Sequence, residues 1–279
     1  MKPVFKYLFL LFPAIWSICL SCQAQSNEWQ WVKTFGGKNA DGINSSCIDK
    51  SDNIYVAGYF QDKLDIDGKT LKSNGDTDAF IAKFDDSGNL IWIRQIGGNY
   101  TENMVITEYA KKIEIDAEGN IVVAGIFAWD ASIGNFTLHG AGNNDIFILK
   151  YTPAGELIWA KSFGSYSHDN LFDMDIDGAG NIYFSCLLNG PLKQEEGNAP
   201  LDEIPLGSQT YIIKLDPSGK IAWIRRDAGV ADNTQLAIDR NNFVYYGITY
   251  SLGLTIDGKY IESQGNSDFL IQQIDTKGT

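Results

Sequence analysis

Four acidic residues recur at one place in a repeating pattern, and carboxylates brought together are the first chemistry this sequence offers. Asp41, Glu102, Asp169 and Asp232 each lie shortly after a tryptophan-led segment. Facing one channel, they would attract a hard cation such as calcium, or a basic group on a partner. Each could equally cap its own turn by accepting nearby backbone amides.

A second acidic run, DMDIDGAGN from Asp173 to Asn181, has the alternation of a calcium loop. The repeats argue against that reading. Asp177 matches Asp49, Asp116 and Asp239, whereas Asp175 falls on Cys47, Glu114 and Ala237. Turn chemistry therefore explains Asp177, since Asp bonds amides two residues on.

His139 and His168 share no register, and a His168–Asp169 neighbour pair supplies neither a nucleophile nor an oxyanion site by itself. Surface histidine is the plainer reading of both. Trp129, Tyr100, Tyr166 and Tyr250 fall in connections between predicted strands, where they could form a binding face for glycans or proteins, or simply cover sheet ends. KQEEGNAPLDEIP reads as a solvated insertion.

The elements that must position these residues form a repeat. WVKTFGG, WIRQIGG, WAKSFGS and WIRRDAG begin at Trp31, Trp92, Trp159 and Trp223. A second marker follows each time: IDKSDNIYVAGYF, IDAEGNIVVAGIF, IDGAGNIYFSCLL and IDRNNFVYYGIT. A third leads onward: DAFIAKFDDSGNLIW, DIFILKYTPAGELIW, TYIIKLDPSGKIAW and the closing DFLIQQIDTKGT. Markers in fixed order identify a repeat architecture before length says anything about domains.

Short runs rich in Ile, Val, Tyr and Phe, bounded by Gly, Asn and Asp, predict four strands per copy. In the first copy these are A (Ile43 to Asp49), B (Asn53 to Phe60), C (Asp78 to Asp85) and D (Leu90 to Ile96). Strand B is apolar on both faces, which implies burial on both sides of the sheet. Radially stacked four-stranded antiparallel blades meet that demand, so the expected fold is an all-β β-propeller. Its units run 31–91, 92–158, 159–222 and 223–279 within a domain spanning 25–279. A–B and C–D connections should be tight turns; the longer B–C and D–A connections should share the face that carries any binding. Trp31, Trp92, Trp159 and Trp223 are then inter-blade wedges rather than sugar platforms.

These three markers resemble the SBBP family of bacterial β-propeller repeats, over roughly Trp29 to Asp275. The resemblance implies a propeller and export, and supplies neither a substrate nor a catalytic motif. The third copy departs from it: Ser185 and Cys186 replace a strand-B glycine, and the Asp before strand C (Asp78, Asp145, Asp268) is missing. A lone D strand, Trp29 to Phe35, and a final C strand, Asp268 to Asp275, could complete one blade and close a ring of four; truncation of a longer ring would leave the same pattern.

Composition is that of a folded protein, with 44% hydrophobic and 20% charged residues. Residues 1–24 read as a signal peptide with a basic start at Lys2 and Lys6, an apolar stretch and a small-residue site ending at Ala24. Cys22 as a lipidated N-terminus is the alternative. No segment reads as a transmembrane helix. Removing the leader leaves 20 basic and 35 acidic residues, a charge of −15, which argues against nucleic-acid partners. Cys47 and Cys186 then remain, expected as separate thiols.

The expected function is a non-catalytic exported or cell-surface module, outside the cell or at the outer membrane, with the periplasm as another location. It would bind a protein or glycan through the loop-bearing face, with calcium the one cofactor to consider and no assigned catalytic residue. The alternatives are a propeller hydrolase or lyase acting on polysaccharide, using the acids with His168, and a structural fragment of a larger surface protein. Catalytic residues are usually unique, and these acids repeat. The sequence does not fix an oligomeric state.

Overall fold

The structure is a computed structural model that describes residues 30–98, 107–194, 207–227 and 229–278. The expected leader, Cys22, Tyr100, Glu102 and most of the acidic insertion lie outside the described residues. No helix among the described residues is long and apolar enough to cross a membrane.

Among the described residues all the regular structure is antiparallel β-sheet. The first copy forms β1 (Asp41–Ile48), β2 (Ile54–Ile66), β3 (Lys69–Phe84) and β4 (Leu90–Gly98), paired in chain order. The second repeats this with β5 (Tyr109–Ile115), β6 (Ile121–Ile133), β7 (Phe136–Tyr151) and β8 (Leu157–Gly164). In the third, β9 (Asn170–Ile176), β10 (Ile182–Leu188), β12 (Gln209–Leu215) and β13 (Ile221–Asp227) follow the same order, with a short β11 (Lys193–Gln194) between. The last has β14 (Asn233–Ile238), β15 (Val244–Tyr250) and β18 (Asp268–Ile274), with a small hairpin of β16 (Leu254–Ile256) and β17 (Lys259–Ile261).

The tight turns form because one Asp oxygen gathers two amides. Asp49 Oδ1 accepts from the Ser51 and Asn53 amides at 2.8 and 3.0 Å, and Asp116, Asp177 and Asp239 do the same. Burial raises the Asp49 pKa, but hydrogen bonds from Asn53, Ser51 and Tyr55 outweigh it and hold the carboxyl below its ordinary range.

The B–C connections differ from expectation. In the first two copies β2 with β3, and β6 with β7, continue outward as long hairpins instead of loops, past bulges at Gln61/Lys63 and Ala128/Asp130. The first hairpin makes an isolated bridge from Asp65 to Gly36, where no strand forms over residues 30–35 as the expected lone D strand would require. Ala131 and Ser132 of the second pair with Gly98 and Gly97 of β4, and in the third copy Lys193 and Gln194 of β11 pair with Gly164 and Phe163 of β8.

The core lies at the seams between copies. Tyr55, Ala57, Ile81 and Trp92 of the first sheet share one cluster with Ile113, Val123 and Leu149 of the second. Val122, Ile146 and Ile148 join Met174, Phe184 and Ile213 of the third; Tyr183 and Ile212 join Leu236, Tyr246 and Ile248 of the fourth. Two-sided burial of strand B follows directly. The matching face of the last sheet is uncovered, with Phe269 80% and Ile271 73% exposed where Ile81, Ile148 and Ile212 are fully buried. β18 pairs with β15, and no described residue pairs with its other edge.

Indoles fasten the seams. Trp92, Trp159 and Trp223 donate Nε1–H to the carbonyls of Pro153, Pro217 and Thr276, at 3.1, 3.2 and 2.9 Å, each in the C–D turn of the following copy. Lys83, Lys150 and Lys214 reach the same three carbonyls. Trp31 is 39% exposed and belongs to the compact unit Met1–Val32.

First strands of successive copies are also laced together. Asn44 donates to the Ala110 carbonyl at 2.9 Å, and Lys111 to Asn170 Oδ1 at 2.6 Å. Asp173 and Asp175 accept the Leu236 and Ile238 amides, each at 2.8 Å, and Lys112 pairs with Asp173 at 2.6 Å. The three acids of DMDID thus serve three separate places, which removes the calcium-loop reading.

Candidate functional site

The repeated acid sits at the start of strand A. Asp41 accepts the Gly37 amide at 2.5 Å and the Gln61 amide at 3.3 Å. Asp169 accepts the Ser165 amide, the Ser165 hydroxyl at 2.7 Å and the Asn189 amide at 2.9 Å. Asp232 accepts the Ser251 hydroxyl. Asp41 and Asp169 thus join the end of strand B to the segment that follows the preceding strand D, and Asp232 holds the end of strand B alone, each in the manner of a turn cap. Among the described residues, no three His, Cys, Asp or Glu side chains are grouped to hold a metal ion.

The fourth member is Glu108, which counting forward from Trp92 missed. Counting back from the Ile-Asp pair that opens each A–B turn, Asp41 and Asp169 fall on Glu108, because the second copy carries an insertion before strand A. Asp232 stands one residue nearer its turn, in a copy whose first strand lacks the bulge of the others. The amides of Gly98 and Ala128, the counterparts of Gly37 and Gln61, draw the Glu108 pKa down. Neither oxygen completes a hydrogen bond, and the side chain is fully buried. Burial first, and the Asp78 carboxylate second, therefore push Glu108 up to about 8.

Asp78 is itself the acid before strand C, fully buried, and accepts the Asn74 amide at 3.1 Å and Gln95 Nε2 at 2.6 Å. One copy on, Asp145 accepts the Ala141 and Gly142 amides at 2.9 and 3.1 Å, and is pushed up to about 7 by burial, with Asp169 adding to the shift. Buried acid pairs thus recur across two consecutive seams. In the third copy Gln209 stands at the place of the acid before strand C, and the hydroxyl of Thr210 beside it donates to the Gly229 carbonyl and accepts the Ala231 amide. A carboxyl in these pairs holds its proton in the range where an exposed acid has lost it.

The loop aromatics do not form one face. Tyr250 is 4% exposed and belongs to the core around Tyr246 and Leu254, because it ends β15 rather than standing in a loop. Trp129 is 45% exposed at the β6 bulge, with φ 61°. Tyr166 is 65% exposed, with Lys193 Nζ 3.3 Å from its ring centre. His139 Nδ1 lies 3.3 Å from Asp130 Oδ1, and His168 Nε2 lies 3.3 Å from Asn143 Nδ2. Among the described residues no hydrogen bond or ion pair links the two histidines; His168 acts on the acid pairs only through its charge interaction with neighbouring Asp169. Cys47 and Cys186 are free, with burial pushing the Cys47 thiol to about 12 and the Cys186 thiol well above its ordinary value. Neither is a ready nucleophile.

No family model matches the chain. An uncharacterised WD repeat-containing protein of Acanthamoeba polyphaga mimivirus is 22% identical over 229 residues, covering 70% of this chain and 16% of its own length. A protein of unknown function from Bacteroides caccae, known from a crystal structure, is 11% identical with a TM-score of 0.40, over 86% of this chain and 62% of that one. The chain thus spans less than two thirds of the length of each of these two proteins. The sequence relative agrees with the four-copy sheet order: this is an all-β repeat fold.

Proposed function

We propose that the chain is a non-catalytic, exported repeat module of β-propeller type that binds a protein or glycan through the side bearing its hairpins and D–A connections. The observation that carries this reading is a division of labour. Residues that repeat, such as Asp41, Asp169 and the seam tryptophans, are engaged in holding copies together. Trp129 and Tyr166 recur in no other copy and remain exposed. Surface aromatics of that kind suit partner recognition.

Radial stacking is favoured by the lacing of first strands and by the relative's repeat class, since WD repeats build propellers. Closure is favoured by a matched pair of leftovers. Gly97 and Gly164 leave room for Asp78 and Asp145; Gly36 holds the same place, and Asp268 is the acid without such a glycine. By the register of Ile81 with Arg94, Ile271 would face Lys33 in a closed ring. Cysteines at these two positions should then form an intrachain disulfide; only interchain product, or none, would refute closure.

A glycan array and a polysaccharide-cleavage assay on the purified chain test the function. Binding that is lost in Trp129→Ser with Tyr166→Ser, without turnover, is the expected result. Release of reducing ends would move the assignment to the hydrolase or lyase alternative.

A further inference from the structure

A cavity of about 450 Å³ lies between the first and second copies, lined by Arg94, Gln95, Ile133, Gly134, Tyr151 and Leu157 among others. Comparison with the other seams shows what is missing from it. Arg94 occupies the place of Lys33 and Arg225, two residues after a seam tryptophan. Lys33 Nζ bonds the Gly88 carbonyl at 2.6 Å and Asp67 Oδ2 at 2.5 Å. Arg225 bonds the Gly278 carbonyl at 3.1 Å and Asp257 Oδ1 at 3.0 Å. Arg94 keeps the carbonyl half of this arrangement, with Nε 2.7 Å from the Gly155 oxygen.

The carboxylate half is gone. Asp67 and Asp257 begin the hairpin tips that follow Ile66 and Ile256, and the same place after Ile133 is Gly134. Arg94 has no acidic partner among the described residues. Asp67 also accepts the Leu90 amide at 2.9 Å, and the counterpart of Leu90, Leu157, lines the cavity. A further oddity points the same way. Tyr151 stands where the other copies carry Phe84, Leu215 and Ile274, so packing does not require its hydroxyl. That hydroxyl is buried without a hydrogen-bond partner, in a side chain 1% exposed. A buried polar group left unpaired is costly, and its presence beside an unneutralised guanidinium marks a place for a ligand.

We propose that this cavity is a carboxylate site, taking a small hydroxylated acid of the hexuronate class. Its carboxylate lies where Asp67 and Asp257 set theirs beside Lys33 and Arg225, against the Arg94 guanidinium and the Leu157 amide. Asn74 and Ser132, also in the lining, offer polar groups to ring hydroxyls, and Ile93 and Ile133 offer apolar surface to the ring. In a chain this acidic, one uncompensated cation in a recess selects for an anion that can enter it. The inference rests on the reading of the chain as a glycan-binding module and names one place where such binding occurs.

The decisive variant is Gly134→Asp. Asp67 and Asp257 both have φ 48°, close to the 59° of Gly134, so this backbone accepts Asp. Thermal unfolding at fixed ionic strength is followed with sodium D-glucuronate, sodium acetate, sodium phosphate and D-glucose. At roughly tenfold Kd, glucuronate should raise the Tm of the wild type by about 3 °C, and glucose should not. Gly134→Asp should match or exceed the wild-type Tm and lose the response. Tyr151→Phe, copying the first unit, should weaken glucuronate several-fold and leave acetate unchanged. A glucuronate response equal in wild type and Gly134→Asp, one no larger than that of phosphate, or none beyond glucose overturns the site. A positive glycan array with glucuronate silent overturns this site alone; glycan cleavage with the glucuronate response intact overturns the module reading and spares the site.

Discussion

The Asp145 carboxylate fills the space in which a side chain on Gly164 would have to begin, since a Cβ on that glycine would overlap Oδ1 of the acid. Asp78 and Gly97 repeat the relationship one copy earlier, and the third copy has lost both halves together, with Gln209 and Ala228 at the two places. A glycine is kept here by the acid it faces and not by its backbone.

Gly164→Ala should therefore cost about 1–3 kcal/mol by overpacking. Adding Asp145→Ala, which empties the space the new Cβ needs, should recover part of the loss. A double-mutant cycle by urea unfolding measures the coupling. Strict additivity of the two substitutions would show that the pair is not a unit.

Stability should fall as pH rises from weakly acidic to weakly alkaline. Glu108, at about 8, and Asp145, at about 7, both sit above the ordinary carboxylate range in the folded chain. The folded state thus binds more protons than the unfolded one. Their contribution is complete below pH about 4 and is lost as pH climbs through those folded values, at about 1.4 kcal/mol per pH unit for each proton. Glu108→Gln should flatten the fall in the urea midpoint between mildly acidic and mildly alkaline buffer; an unchanged slope would remove Glu108 from the account.

Trp92→Ala should cost about 3–5 kcal/mol, because a 6%-exposed indole and its bond to the Pro153 carbonyl are both lost. Trp92→Phe should recover most of the packing and leave a deficit of about 1 kcal/mol for the hydrogen bond. Thermal or urea unfolding reads both; a Tm unmoved by Trp92→Ala would contradict a seam role.

Much of the scaffold could be read from residue order because its determinants are local. Asp49, Asn53 and their repeats fix the A–B turns by side-chain bonds two and four residues away, and two-sided apolar strands announce stacked sheets. The site was less legible. Glu108 was hidden by an insertion that shifts its distance from Trp92 while leaving its distance from Asp116 unchanged. Tyr250 reads as a loop residue until strand pairing with Asp268 places it inside. The hairpins of the first two copies were mistaken for loops because polar residues such as Lys72 and Asp76 alternate along strands exposed on one side. The vacancy beside Arg94 could have been found from Asp67, Gly134 and Asp257, but only once the hairpin tips were aligned.

The indole, lysine and last-strand bonds of the seams run from one copy to its successor: to the following turn, to the same turn and to the following hairpin. Such one-way lapping makes a copy an interchangeable part, like a roof tile whose lower edge fits any neighbour. A duplicated or deleted unit would inherit working joints on both sides, so lineages of this architecture can change their number of copies without new packing solutions. Selection could then act on hairpin tips such as Gly134 one at a time.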